Sequence, residues 1–404
     1  MVAVPITVQT NGNGTVSPNY NGQLLEIGRA YSMTATAGSG FVFSNWSGSA
    51  SSAAPTLGFL MQSNLVLQAN FITNPFIPAK GVYNGLFYET NGVLFSSSGF
   101  FTATTMDNGG YSGNLSLAGQ SLPFTGQMRV DGSATNTVSR AGTNSLVLNL
   151  KWNLADRTSM TGHVTDGRWV AELAANRSSF NAATSPAPQA GRHDMILPGS
   201  SDSVSQPGGD GYATITISTA GQVTLNGKLA DNTSMSQVTT LSDAGQWPFY
   251  QALYSGKGLA LGWLNVESNS LTGDVCWIKL AQAATYYPAG FVYQTNIMGS
   301  RYTPPSSGQR VLNFSTGQVW LANGNLSQSF TNQIGLTTNN AVSNFSTNAL
   351  TFTLSTNSGS FSGSATDPVT HKVFSFGGVI LQNSNIGGGF FLGTNRSGRV
   401  FIGP

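Results

Sequence analysis

Thr214-Ile215-Thr216-Ile217, the pair Ala220-Gly221, and Gln222-Val223-Thr224-Leu225 decide the fold class. On either side of the Gly-containing pair, apolar residues fall at every second position. Side chains alternate between the two faces of a strand, so each run reads as a half-buried strand and the pair as a tight turn. Reading outward, the same alternation returns in Phe100-Phe101-Thr102-Ala103-Thr104, Leu146-Val147-Leu148-Asn149-Leu150 and Leu350-Thr351-Phe352-Thr353-Leu354. Asn91-Gly92, Asp107-Asn108-Gly109-Gly110, Asp131-Gly132, Asp166-Gly167 and Asn323-Gly324 supply the positive-φ turns that antiparallel hairpins use. Helical periodicity is nearly absent. Its best candidate, Ala171 to Asn176, is too short to stand alone. The chain is predicted to be all-β.

Composition narrows the function classes. The 404 residues include 17 Lys plus Arg and 15 Asp plus Glu, 8% charged, against roughly 25% in ordinary soluble domains. A net charge of +2 gives no basic field for nucleic acid. Aromatic content of 10% argues against disorder. No apolar run reaches the ~18 residues of a membrane helix. Met1-Val2-Ala3-Val4-Pro5-Ile6 lacks the basic and apolar regions of a signal peptide. The Ser-, Thr-, Asn- and Gly-rich composition nevertheless reads as extracellular or cell-surface, with a leader expected upstream of Met1. The single cysteine, Cys276, cannot form an internal disulfide and reads as a small buried hydrophobe.

Pro-punctuated stretches divide the chain. Asn74-Pro75-Phe76-Ile77-Pro78 and Ser185-Pro186-Ala187-Pro188 read as linkers. They separate a small module at 1–74, an antiparallel domain at 80–185 and a larger, related one at 191–404, with Pro304-Pro305 in a large loop of the last. Leu154-Ala155-Asp156-Arg157-Thr158-Ser159-Met160 returns as Leu229-Ala230-Asp231-Asn232-Thr233-Ser234-Met235, so one strand–turn–strand unit is used more than once. The expected architecture is a small N-terminal β module followed by two related antiparallel barrel-like or strongly curved sheets. A β-solenoid is the alternative, although no short constant period is visible.

Four runs carry a resemblance: Gly12-Asn13-Gly14-Thr15-Val16-Ser17-Pro18, Tyr31-Ser32-Met33-Thr34-Ala35-Thr36-Ala37, Gly40-Phe41-Val42-Phe43-Ser44-Asn45-Trp46-Ser47-Gly48 and Asn64-Leu65-Val66-Leu67-Gln68-Ala69-Asn70-Phe71. In this order and spacing, residues 6–72 resemble the divergent InlB-type B-repeat, a bacterial repeat domain. The resemblance implies a small β-grasp-like or sandwich-like module of secreted and surface-attached bacterial proteins, a spacer or adhesion element with no shared catalytic residues. Gln246-Trp247-Pro248-Phe249-Tyr250, Leu261-Gly262-Trp263-Leu264 and Gly389-Phe390-Phe391-Leu392-Gly393 are similar to the Gly-rich β tails of large secreted bacterial repeat proteins.

Motifs for chemistry are scarce. No Gly-x-Ser-x-Gly elbow, Walker loop or EF-hand loop occurs, and His163, His193 and His371 are too far apart for a helix-borne zinc pair. No cofactor or metal is expected. His193-Asp194 is a conceivable acid–base pair, but neighbours on a strand point to opposite faces. A glycoside hydrolase needs two carboxylates; Glu89, Glu172 and Glu267 are the candidates in strand-like runs. The remaining signal is aromatic: Trp247, Tyr250, Tyr254 and Trp263 are candidates for stacking on sugar rings. The expected role is non-catalytic: structural, adhesive or glycan-binding, with a neutral polysaccharide or cell-surface partner. A two-carboxylate carbohydrate-active enzyme and a self-associating filament or sheath subunit are the alternatives.

Overall fold

The computed structural model describes residues 2–404, so the reading attached to Met1 lies outside the described residues. Apart from one 3-10 turn at Ile77–Ala79, the regular structure of the described residues is strand. Ala171 to Asn176 lies within the strand Val170–Arg177, where Ala171, Leu173 and Ala175 face the core.

The N-terminal module packs two three-stranded sheets and a two-stranded ribbon around Trp46. Its last strand, Val66–Thr73, runs parallel to Thr7–Asn11 and antiparallel to Phe41–Gly48. Trp46 is fully buried, and its indole N–H donates to the Pro55 carbonyl at 3.0 Å.

The remaining chain forms three nearly closed barrels of eight antiparallel strands each. In each, consecutive strands pair as a meander and the last strand returns to the first. Val170–Arg177 pairs with Gly81–Tyr88, Phe291–Tyr302 with Gly191–Leu197, and Ser397–Gly403 with Thr316–Asn323. Residues 191–404 thus hold two barrels where the sequence suggested one larger domain. The Pro304-Pro305 stretch connects them, between Phe291–Tyr302 and Thr316–Asn323, and is not a loop inside one. First-to-last antiparallel closure also removes the solenoid alternative. The interiors are filled by side chains, with Trp152, Trp247 and Phe391 among the largest.

Each barrel has one seam where neighbouring strands do not pair, and in the first two a side-chain amide bridges it. Asn136 Nδ2 donates to the Thr125 carbonyl at 2.7 Å and Gln237 Nε2 to the Pro248 carbonyl at 2.9 Å; in the third barrel Asn344 Nδ2 donates to the Asn348 carbonyl at 2.7 Å, within the connection between the two seam strands. An open edge would leave a row of unpaired backbone groups; the amides occupy part of it.

The connections are not free tethers. Phe76 enters the end of the first barrel and stacks on Trp152 at 5.6 Å, and Ala79 beside it is also buried. Phe180 packs against the core of the second barrel, and Val311 and Leu312 join that of the third. Composition suggested linkers, but apolar residues in or beside these Pro-punctuated stretches plug the barrel ends. The repeated Leu-Ala-Asp motif is a hairpin turn. Asp156 Oδ1 accepts the Thr158 N–H at 2.8 Å and Asp231 Oδ1 the Thr233 N–H at 3.1 Å. The following residues, Arg157 and Asn232, take φ of 63° and 70°.

The barrels pack laterally. Leu86 of the first meets Leu259, Leu261 and Ile278 of the second. Ile196 and Tyr212 of the second meet Val379 and Leu381 of the third. Here Gly388 matters: a Cβ on it would lie 2.6 Å from the Ile196 Cδ1 atom. Gly388→Val is therefore expected to destabilise the junction by about 1–3 kcal/mol, lowering the thermal midpoint and increasing protease cleavage between residues 303 and 315. An unchanged midpoint and digest would contradict this packing.

Candidate functional site

A hollow of about 760 Å3 lies on the outer face of the second barrel beside the first. Its floor is built by strand pairing. Leu261 stands opposite Cys276 and Leu264 opposite Gly273, which sets Trp263 across from Asp274. Asp274 in turn opposes Asn296, and Cys276 opposes Gln294. Successive outward positions on three strands thus form a row of Trp263, Asp274 and Asn296 above a row of Leu261, Cys276 and Gln294. Trp263 is half-buried, whereas Asp274, Gln294 and Asn296 are exposed.

Tyr88, Gly92 and Val93 of the first barrel form the opposite wall. That wall is folded in advance. Ser97 Oγ donates to Glu89 Oε1 at 2.5 Å, the Gly92 N–H donates to the Glu89 carbonyl at 3.0 Å, and the Leu94 N–H to Ser98 Oγ at 3.0 Å. Asp274 is the one carboxylate among the described lining residues. The arrangement offers an aromatic face, amide donors and acceptors, and one acceptor-only group. Such a set suits a neutral ligand rich in hydroxyls.

The four aromatic candidates are not brought together. Trp247 is fully buried inside the second barrel, its indole N–H donating to Gln237 Oε1 at 3.1 Å; it fills the core and offers no platform. Tyr250 points outward but is covered by the first barrel, stacked on Phe100 at 6.0 Å, and burial pushes its hydroxyl up to about 12. Tyr254 closes the end of the second barrel. Its hydroxyl donates to Asp231 Oδ2 at 2.7 Å and accepts the Trp277 indole N–H at 3.0 Å, while Lys279 Nζ sits 4.7 Å from its ring centre. Burial and the Asp231 charge raise the Tyr254 pKa. Only Trp263 faces the groove.

The acid–base candidates are also dispersed. Glu89 is engaged by Ser97, and Glu267 accepts from Ser270 in its own turn at 2.9 Å. Glu172 stands across from His163 on the exposed face of the first barrel. His193 points into the second barrel and Asp194 out toward the third. Burial and the nearby Arg301 charge hold His193 down near 4, so it is neutral. Burial pushes Asp194 up to about 8 against the opposing pull of Arg192. Cys276 is buried, its thiol raised to about 11, which leaves it unreactive.

Sequence reading missed Tyr88, Gln294 and Asn296. The alternation of Leu261 to Asn265 marks Trp263 and Asn265 as sharing one face. Nothing local shows which residues stand opposite on neighbouring strands.

Residues 4–75 match the family described as the divergent InlB B-repeat domain. No curated protein matches the chain. Among solved structures, a mutant of the vaccine antigen transferrin binding protein B from Haemophilus parasuis is similar at 9% identity and a TM-score of 0.22, over 80% of this chain and 75% of that one. The isotype 1 transferrin binding protein B of serogroup B Neisseria meningitidis is similar at 13% identity and a TM-score of 0.19, over 80% and 76%. A Nostoc punctiforme protein of the DUF3598 family is similar at 12% identity and a TM-score of 0.19, over 56% and 98%.

Proposed function

We propose that this chain is an extracellular or cell-surface protein that binds a neutral polysaccharide without cleaving it. The observation that carries the reading is the groove at Trp263, which joins a half-buried indole to Asn296, Gln294 and Asp274 under a prefolded wall. The bacterial repeat domain at residues 4–75 supports a surface location. A chain with 8% charged residues and little net charge presents hydroxyls and amides, which engage neutral polymers with little dependence on salt. A single carboxylate in the groove favours binding over two-carboxylate hydrolysis. The bridged seams of the first two barrels weigh against lateral assembly through open edges.

The test is co-sedimentation with insoluble cellulose, chitin, xylan and curdlan at low and high salt, with the supernatant assayed for released sugar. Retention insensitive to salt, without release, is expected. Trp263→Ala is expected to weaken retention about tenfold or more, as loss of an aromatic anchor does. Retention unaffected by that substitution would remove the groove from the reading. Released sugar would overturn the non-catalytic assignment.

A further inference from the structure

A second hollow lies between the second and third barrels. Two adjoining depressions of about 450 and 420 Å3 share Tyr212, Phe361 and Ser362 and so form one trench. Strand pairing again lays down its walls. On the second barrel, Tyr212 stands opposite Lys228, and Thr214 opposite Asn226. On the third, Thr353, Ser362 and Gly377 form one row across three strands.

The chemistry of the trench is distinctive. Tyr212 lies 5.7 Å from Phe390, so an aromatic surface forms part of its floor. Gly377 keeps that floor open: a Cβ there would meet the Tyr212 hydroxyl at 2.9 Å. Thr353, Ser362 and Ser375 make no side-chain hydrogen bond among the described residues, which leaves their hydroxyls free to donate and accept. Lys228 is the one charged residue among the described lining residues, and its ammonium is held by Asn232 Oδ1 at 3.0 Å. A cationic ligand would find no carboxylate here, and an anionic one would find only Lys228. An apolar ligand would strand the hydroxyls in a dry contact. A neutral, hydroxyl-bearing ring meets both features, with its C–H face on the aromatic surface and its hydroxyls on the walls.

We propose that this trench is a second carbohydrate-binding site, taking the same neutral class of glycan as the groove at Trp263. The ligand class rests on the reading given under Proposed function; the location and the count of sites do not. Both sites flank the second barrel. Once one is filled, a polymer long enough to reach the other finds it at high effective concentration.

The experiment is calorimetric titration of the whole chain with soluble oligosaccharide fragments of cellulose, chitin, xylan and curdlan. Two equivalents are expected to bind the wild type. Trp263→Ala leaves one. Ser362→Trp, at an exposed position where the indole fills the trench, also leaves one, and Asn226→Ala weakens that same equivalent. For the insoluble polymer, loss of either site is expected to lower retention by roughly 10²-fold. One equivalent in the wild type, abolished by Trp263→Ala and untouched by Ser362→Trp and Asn226→Ala, overturns the trench and leaves the groove standing. The reverse pattern overturns the groove and keeps the trench. No binding of any fragment overturns both.

Discussion

Asp194→Asn is expected to stabilise the chain at pH 8 and to leave it nearly unchanged at pH 4. Asp194 is 1% exposed and faces the third barrel, where Gly359 and Tyr302 cover it. Its Oδ2 has no hydrogen-bond partner among the described residues, nor has the Oγ of Ser300, its neighbour across the ladder. The nearby charge is Arg192, which is drawn aside to the Asn357 carbonyl; Tyr302, also facing the carboxyl, spends its hydroxyl on the Thr356 carbonyl at 2.5 Å. Burial therefore dominates and raises the carboxyl to about 8. The sign follows from proton linkage. The folded chain holds the proton where the unfolded chain has released it. Stability from the neutral form is complete below the ordinary carboxylate range and is lost as pH rises toward 8. An amide carries no charge to bury. The expected gain at pH 8 is on the order of 3–5 kcal/mol, read from denaturant midpoints of both proteins between pH 4 and 9. Parallel profiles would contradict it.

Phe76→Ala is expected to cost the first barrel about 3–5 kcal/mol. The ring is 2% exposed and stacks on Trp152, itself fully buried. The Trp152 indole N–H donates to the Tyr83 hydroxyl at 2.6 Å, which donates to the Ala79 carbonyl at 2.7 Å. Removing Phe76 leaves a cavity at the barrel end and admits water to this chain of hydrogen bonds. Trp152 fluorescence should report an earlier unfolding transition, while the second and third barrels unfold as before. A loss below about 1 kcal/mol would mean that the connection contributes little to closure.

Much of this architecture was legible in residues. Alternation around Ala220-Gly221 identifies strands because the period of two is a local property. Phe41 and Phe43 keep the same alternation, and a bulge between Phe43 and Asn45 brings Trp46 onto their face, where it joins the core they pack against. The division of residues 191–404 into two barrels was not legible, because barrel closure pairs strands about a hundred residues apart, as Arg192 with Tyr302. The plugs were misread because Pro marks a break in strand structure but says nothing about where Phe76 or Leu312 goes. Trp247 and Trp263 sit on adjacent strands, one facing inward and one outward. Facing direction becomes certain only once the sheet curls.

First-to-last closure also fixes how the chain responds to tension. In the first barrel, entry and exit lie side by side, with Tyr83 paired to Arg177. In the second, Arg192 pairs with Tyr302. A pull on the two ends of such a barrel opens the closing ladder from its end, one rung after another, instead of shearing all its hydrogen bonds at once. An arginine fastens each end: Arg177 Nη1 donates to the Lys80 carbonyl at 2.7 Å, and Arg301 Nη2 to the Ala190 carbonyl at 2.8 Å. Anchored at one end and loaded at the other, the chain would yield by stepwise unzipping at modest force. It would lengthen barrel by barrel and absorb work that would otherwise break its hold.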